Sequence, residues 1–414
     1  MHVLLLCEAV TLAHSARVAV LARALATRGH RVTVAGAAPL TRFEHPGVAW
    51  RALGCIGAQR FVAALASGRS AYTEQDLHGY VDEERRCIDD VAPDIVAADF
   101  RPTAAVSARA AGVPCATIIN AYWSPAAGGA LPMPVLPFTR WLPLPIAQRL
   151  FDLGSKWALA SFCRPWNRVR MAHGLEDLGI DLRRIYCDGD AVLYPDVPGM
   201  FIDGELPPGH HWLGPLLWSP EVARPAWWPD VPRDRPVAYL TLGSSGDPRL
   251  FDTVVAGLRA AGLAVVAAPA GAAPGPAGQG PDVYTAPYLP GDAATAAADL
   301  VVCNGGAMTC QQAFACGKPV LGIAGNMDQF LNMAGVAAAG AGALIRADRL
   351  SAPGVALAAG ALTGERRFRE ASSRLGSRMD PATPAQRFER AVERLATGAQ
   401  APARAGPPVA TAGM

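Results

Sequence analysis

The run Leu300-Val301-Val302-Cys303 is followed at once by Asn304-Gly305-Gly306, and then by Ala307 to Cys316, which holds good helix formers and no proline before Pro319. A short unbroken apolar run reads as a strand buried in a parallel sheet. Strand, glycine turn and helix in this order make an anion site. The glycines let the backbone approach a ligand, and the helix N-terminus offers unpaired N–H groups and about half a positive charge. The same order also serves plain packing, so the turn alone leaves both readings open.

The beginning of the chain has the same logic. His2 to Leu6 reads as a buried strand. Ser15 to Arg28 carries Val18, Leu21, Ala22 and Leu25 at helical spacing, Gly29 ends the helix, and Arg31 to Ala35 is the next strand. This β-loop-α-β order predicts an α/β fold with a parallel, doubly wound sheet and right-handed crossovers. Such sheets bind ligands beyond the carboxyl ends of their strands, and the loop after the first strand carries Glu8, Thr11 and His14. Pro93 to Phe100 is a further strand and ends in Asp99, with a helix expected over Thr103 to Ala111; Asp94 lies at its start, away from the crevice. In the second half, Val237 to Leu242 reads as a strand, followed by Gly243-Ser244-Ser245-Gly246 and a helix begun at Asp247-Pro248. That turn adds N–H and hydroxyl donors.

The 414 residues suffice for two domains, and 51% hydrophobic against 17% charged residues allows a sizeable core. A net charge of +2 argues against a dedicated nucleic-acid surface. The nine cysteines form no C-x-x-C pair, which speaks against zinc and a disulfide framework and for a reducing cytoplasm. The start lacks the basic head of a secretion signal, and no window of 18 apolar residues suggests a membrane span. Ser219 to Pro236, with five prolines, reads as a linker. Ser124 to Pro145 reads as an extended loop and Ile146 to Phe162 as one amphipathic helix. Around that helix, residues 140–170 mix arginines with Trp141, Trp157 and Trp166. This mixture suits the solvated walls of a ligand pocket, or a peripheral membrane contact on the inner face of the membrane.

From Asn304 to Gln329 the chain resembles the donor-binding signature of metal-independent, nucleotide-sugar-dependent glycosyltransferases of the GT-B fold, the UDP-glycosyltransferase-like enzymes that act on small molecules. Their pattern is H-G-G-x-G-T, an acidic or amide residue, G-x-P, then D-Q. It stands here as Asn304-Gly305-Gly306-Ala307-Met308-Thr309, Gln312, Gly317-Lys318-Pro319 and Asp328-Gln329, over about 25 residues. Asn304 replaces histidine and Met308 a small residue. The segment Glu8 to Arg17 with Arg28-Gly29-His30 resembles the same family's N-terminal signature, with Ala13 in place of a frequent glycine. Its catalytic histidine falls on His14 and the aspartate that pairs with it on Asp99. Tyr288-Leu289-Pro290 resembles the turn that packs on the nucleobase, with Gly291 where the family has glutamine.

The resemblance covers roughly residues 1–375. It implies two Rossmann-like doubly wound domains facing across a cleft. Residues 1–218 would bind acceptor, 219–236 link, 237–378 bind the nucleotide sugar, and a helix within 379–400 cross back to the first domain, ahead of a disordered tail at 401–414. A UDP- or dTDP-sugar would be the co-substrate, with no cofactor and no metal. Its diphosphate would meet Asn304, Gly305, Gly306 and the N–H groups of Ala307, Met308 and Thr309. Ser244 and Ser245 would lie near the nucleotide, Tyr288 and Leu289 on the base, Gln312 on the ribose, and Asp328 and Gln329 on the sugar hydroxyls. His14, held by Asp99, would take the proton of an acceptor hydroxyl on a natural product or lipid, with inversion at the anomeric carbon. Two other readings stay open. One is a nucleotide-sugar epimerase on the same fold, which needs no His14–Asp99 pair. The other is a degenerate homologue that assists a partner transferase, supported only by Asn304 and Met308.

Overall fold

The computed structural model describes residues 1–8, 10–37, 43–243, 246–269, 280–380 and 383–398. Segment 271–279, the tail 401–414, Ser244 and Ser245 lie outside them. The first half forms one parallel sheet of β1 His2–Cys7, β2 Arg31–Gly36, β3 Val48–Ala52, β4 Ile95–Asp99, β5 Cys115–Ile118, β6 Ala191–Tyr194 and β7 His210–Trp212, in the order β3-β2-β1-β4-β5-β6-β7. The second half forms another parallel sheet of β8 Val237–Thr241, β9 Ala264–Ala267, β10 Val283–Thr285, β11 Leu300–Cys303, β12 Val320–Ala324 and β13 Gly342–Arg346, in the order β10-β9-β8-β11-β12-β13. Both are doubly wound, as the alternation of apolar runs and helical patterns predicts. The winding reverses between β1 and β4 in one sheet and between β8 and β11 in the other, which is where such sheets open a crevice. The central strands are buried and, apart from His2 at the start of β1 and Asp99 at the end of β4, apolar, as strands covered by helices on both faces must be.

Two helices differ from the sequence expectation. The first spans Leu12–Thr27, not Ser15 to Arg28. Nothing after Thr11 breaks a helix, and Thr11 itself is extended (φ −136°, ψ 155°), so the turn begins there and His14 sits inside the first helical turn rather than in the loop. The helix expected over Ile146 to Phe162 runs from Leu144 to Ala172. Pro145 lies in its first turn, where the missing N–H is no loss, and Pro165 is absorbed within it, so neither proline sets its end. The segment before it is irregular, with short 3₁₀ turns at Ala121–Trp123, Pro125–Ala127 and Pro137–Arg140. Between β7 and β8 the only regular piece among the described residues is the turn Trp228–Asp230.

The helix Thr383–Ala396 does not pack on the second sheet. Its Phe388, Val392 and Leu395 are buried with Val18, Leu21 and Leu25 in the core of the first. His30 Nε2 meets Glu389 Oε1 at 2.9 Å beside this contact. Among the described residues no helix is long and apolar enough to cross a membrane. Because Phe388 is fully buried in a core formed by distant segments, Phe388→Ala is expected to lower the unfolding free energy by about 3–5 kcal/mol. Denaturant titration of the purified variant checks this; a loss under about 1 kcal/mol would mean the helix is only loosely attached.

Candidate active site

Asp99 ends β4 directly beside Cys7 of β1, at the carboxyl edge of the first sheet, and is completely buried. His14 Nδ1 lies 2.7 Å from Asp99 Oδ1. An ionised carboxylate only accepts, so Nδ1 carries the proton and the second ring nitrogen, Nε2, keeps a lone pair. Arg17, one helical turn further on, contacts the same carboxylate: Nη2 donates to Oδ1 at 3.1 Å and Nε lies 2.9 Å from Oδ2. Its approach to His14 Nδ1 at 2.9 Å sets two donors side by side, held together by the anion between them. The imidazole stacks on Phe100, with ring centroids 4.8 Å apart and an interplanar angle of 9°. Phe100 has φ +50°, a left-handed conformation that costs a non-glycine residue about 1–3 kcal/mol. That backbone turns its ring back under His14 immediately after the acid.

A buried polar chain continues from this pair into the other half of the molecule. Arg17 Nη1 donates to Asn120 Oδ1 at 2.9 Å, and Asn120 Nδ2 to Asp196 Oδ1 at 2.8 Å. The Ala121 backbone N–H reaches Asp196 Oδ2 at 2.6 Å. Gln311, on the helix Ala307–Ala315, donates through Nε2 to Pro195 O at 2.9 Å and to Asp196 Oδ1 at 3.2 Å. Burial raises the Asp196 carboxyl to about 6, against the hydrogen bonds from Ala121 and Asn120 that lower it.

The glycine turn stands at the carboxyl end of β11. Gly305 has φ +84°, and a Cβ there would come within 2.7 Å of Met333 Cγ, so only glycine fits without a shift. Gly306 caps the helix with no side-chain bond, which leaves the N-terminus open toward Ala307, Met308 and Thr309. Asn304 is buried, and its Oδ1 accepts from Gly306 N at 3.1 Å. Its amide also approaches Gly243, the turn after β8, so the two loops touch. Gln312 Nε2 is bonded to Trp218 O at 2.6 Å. Tyr288 is exposed and Leu289 buried.

Asp328 faces the first half: its Oδ1 accepts from Tyr122 Oη at 3.0 Å and from Trp123 Nε1 at 2.8 Å. Burial holds the Tyr122 hydroxyl well above its ordinary pKa, so it remains a donor. Gln329 completes a capping box with Asn326, its Oε1 taking the N–H groups of Gly325 (2.8 Å) and Asn326 (3.2 Å). Its Nε2 is buried with no partner among the described residues. The structure therefore gathers His14, Asp99, Asn304 to Thr309, Asp328 and Gln329 around the facing strand ends, while Ser244 and Ser245 lie outside the described residues. Arg17, Phe100, Asn120, Tyr122, Trp123, Asp196 and Gln311 join them and were not singled out from the sequence. Arg17 closes the Glu8 to Arg17 segment that resembles the family's N-terminal signature, and the helix that begins at Leu12 puts it at i+3 from His14. A mostly apolar cavity of ≈ 300 Å³, lined among others by Thr11, Ser15, Val34, Phe43 and Trp50, opens along the helix that carries His14. His30, Glu389 and Glu393 also cluster, but before β2, at the opposite edge of the sheet, with Arg28 Nε 3.3 Å from Glu389.

Asp196 gives a pH signature. Its native carboxyl holds a proton up to about pH 6, against an ordinary value of 3.8. Its contribution therefore favours the native state fully below that ordinary value and is lost as pH rises through about 6. Asp196→Asn removes this dependence. The unfolding free energy of the variant relative to wild type is expected to rise by roughly 1–3 kcal/mol between pH 4 and pH 7. A flat difference across that range would show that Asp196 is ionised throughout.

Comparison with known proteins agrees with this architecture. Residues 254–392 match the EryCIII-like family described as "Erythromycin biosynthesis protein CIII-like, C-terminal domain". A PGL/p-HBAD biosynthesis glycosyltransferase of Mycobacterium tuberculosis is 41% identical over 390 residues, covering 92% of this chain and 89% of the relative. A PGL/p-HBAD biosynthesis rhamnosyltransferase of Mycobacterium bovis is 41% identical over 386 residues, covering 90% and 83%. A Mycobacterium bovis relative named as an inactive PGL/p-HBAD biosynthesis glycosyltransferase is 40% identical over 261 residues, 61% of this chain and 70% of its own. Among solved structures, the spinosyn forosaminyltransferase SpnP superposes with a TM-score of 0.68 at 19% identity, over 95% of this chain and 99% of that one. The spinosyn rhamnosyltransferase SpnG gives 0.67 at 19%, over 95% and 100%. With two crevice-forming sheets, a glycine turn on one and a buried His–Asp pair on the other, the chain is a GT-B glycosyltransferase and belongs to the family of the PGL/p-HBAD biosynthesis glycosyltransferases.

Proposed function

We propose that this enzyme transfers a sugar from a nucleoside diphosphate sugar to a hydroxyl of a small, partly apolar acceptor, with inversion at the anomeric carbon and without a metal ion. The observation that carries this reading is the His14–Asp99 pair, whose 2.7 Å bond fixes the proton on Nδ1 and leaves Nε2 as a base. Nε2 takes the acceptor's hydroxyl proton as that oxygen attacks the anomeric carbon from the face opposite the diphosphate. The bond to the diphosphate breaks, and its charge moves toward the uncapped N-terminus of Ala307–Ala315. Asp328 Oδ2 and the unpartnered Gln329 Nε2 supply an acceptor and a donor for sugar hydroxyls. Gln312 serves the ribose only by releasing Trp218 O, so its role depends on a movement of that segment. The rhamnosyltransferase relative, and the structure of SpnG complexed with thymidine diphosphate, support dTDP-rhamnose as the first donor to try beside UDP-sugars.

His14→Ala is expected to lower transfer about 10²–10⁴-fold while donor affinity stays unchanged by calorimetry. A variant that keeps more than about a tenth of the rate rules out the general-base role.

Asn304→Ala removes the acceptor that holds the Gly306 N–H and is expected to weaken donor binding several-fold. Unchanged affinity would place Asn304 away from the diphosphate. EDTA is expected to leave turnover intact, since the charge of the leaving group is met by the helix terminus; loss with EDTA and recovery with magnesium would contradict the metal-free scheme.

A further inference from the structure

We propose that the first half of the helix Leu144–Ala172 docks the enzyme on an anionic lipid surface at the mouth of its cleft. Ile146, Leu150, Leu153 and Trp157 follow one another at steps of four, three and four, which puts them in a single stripe. They are 49%, 49%, 76% and 82% exposed, and Trp141, just before the helix, is 86% exposed. Between residues 144 and 161 only Ala147 is buried. Scattered apolar residues are ordinary on a protein surface, but a continuous row of this size is not.

Charge identifies what covers the row. Residues 140–170 hold Arg140, Arg149, Lys156, Arg164, Arg168 and Arg170 against the single acid Asp152, in a chain whose net charge is only +2. Arg170 pairs with Asp188 and Arg168 with Glu74, but Arg149, Lys156 and Arg164 have no acidic partner among the described residues. Arg149 and Lys156 flank the stripe, and Arg164 extends its line. A tryptophan at each end, aliphatic side chains between and unpaired cations alongside is the pattern of a helix lying in a bilayer interface. A second copy laid on this face would bring the same cations together.

The placement gives the contact a purpose. The segment leading into the helix leans on the other half of the molecule: Val135 N bonds Gly325 O at 2.8 Å, beside the Asn326 cap of the helix that carries Asp328, and Thr139 Oγ1 bonds Asp348 at 2.6 Å. Further along the same helix, Trp166 packs on Tyr72 in the aromatic cluster that includes Phe100, the ring under His14. One helix thus runs from the proposed lipid surface to the wall of the acceptor side. The purpose, delivery of an amphiphilic acceptor, rests on the function proposed above; the docking itself is read without donor or acceptor, so the two can fail separately.

The experiment is flotation of the whole protein with vesicles of equimolar phosphatidylcholine and phosphatidylglycerol, and with phosphatidylcholine alone. Wild type is expected to float with the mixed vesicles, not with the neutral ones, and to be released by salt at about 0.5 M. Leu153→Glu/Trp157→Glu and Arg149→Glu/Lys156→Glu are each expected to weaken partitioning about ten-fold or more. Both pairs are solvent-exposed, and an unchanged melting temperature confirms that each variant is folded. Wild type that stays unbound, equal binding to neutral vesicles, or variants that float as well as wild type would each overturn the proposal. So would a wild-type dimer in sedimentation velocity that Leu153→Glu/Trp157→Glu dissociates without any vesicle binding, since the stripe would then be an interface between copies.

Discussion

All strands within each of the two sheets run in one direction, so every loop at a sheet's carboxyl edge emerges on the same side. Asp99 ends β4, Asn120 follows β5, Asp196 follows β6, Gly243 follows β8, Asn304 follows β11 and Asn326 follows β12. Residues scattered along the chain are thereby delivered to one crevice without any local sequence signal connecting them. The antiparallel alternative would have divided them between two edges.

Within that crevice the two halves are joined by polar contacts that are themselves part of the site. Asp196 takes donors from Asn120 and Ala121 on one side and from Gln311 on the other. Asp328 takes Tyr122 and Trp123. The tripeptide Ala121-Tyr122-Trp123 together with Asn120 therefore meets both carboxylates, and through Arg17 it also meets the acid that holds His14. Buried networks of this kind are costly when one member lacks its partner. A continuous set of hydrogen bonds thus links Gln311, on the helix Ala307–Ala315, to Asp99 by way of Asp196, Asn120 and Arg17.

Much of this was legible beforehand because it rests on local rules. A glycine pair between an apolar run and a helix former stretch announces the turn at Gly305, and a strand ending in an acid announces Asp99. What escaped depends on tertiary contact. Asn120, Asp196 and Gln311 are ordinary polar residues in sequence, and only the crossing of β5, β6 and the second-half helix makes them neighbours. Phe100 gives no sign of its left-handed backbone. The first helix begins three residues before its expected start because nothing between Thr11 and Ser15 breaks a helix, even though Thr11 makes no side-chain cap bond. The helix Leu144–Ala172 likewise outruns its expected span, because packing of Cys163, Trp166 and Val169 carries it through Pro165.

The return of the helix Thr383–Ala396 to the first core bears on how the chain is made. His30 and Glu389 meet across 359 residues of sequence. A nascent chain that has completed β7 still lacks Phe388, Val392 and Leu395, and the groove they fill along Val18, Leu21 and Leu25 is open. At ribosomal rates the remaining residues take roughly 10–40 s to appear. Throughout that interval the apolar side chains of Val18, Leu21 and Leu25 lack the cover that the terminal helix gives them, so the first core is completed only when nearly the whole chain has been made.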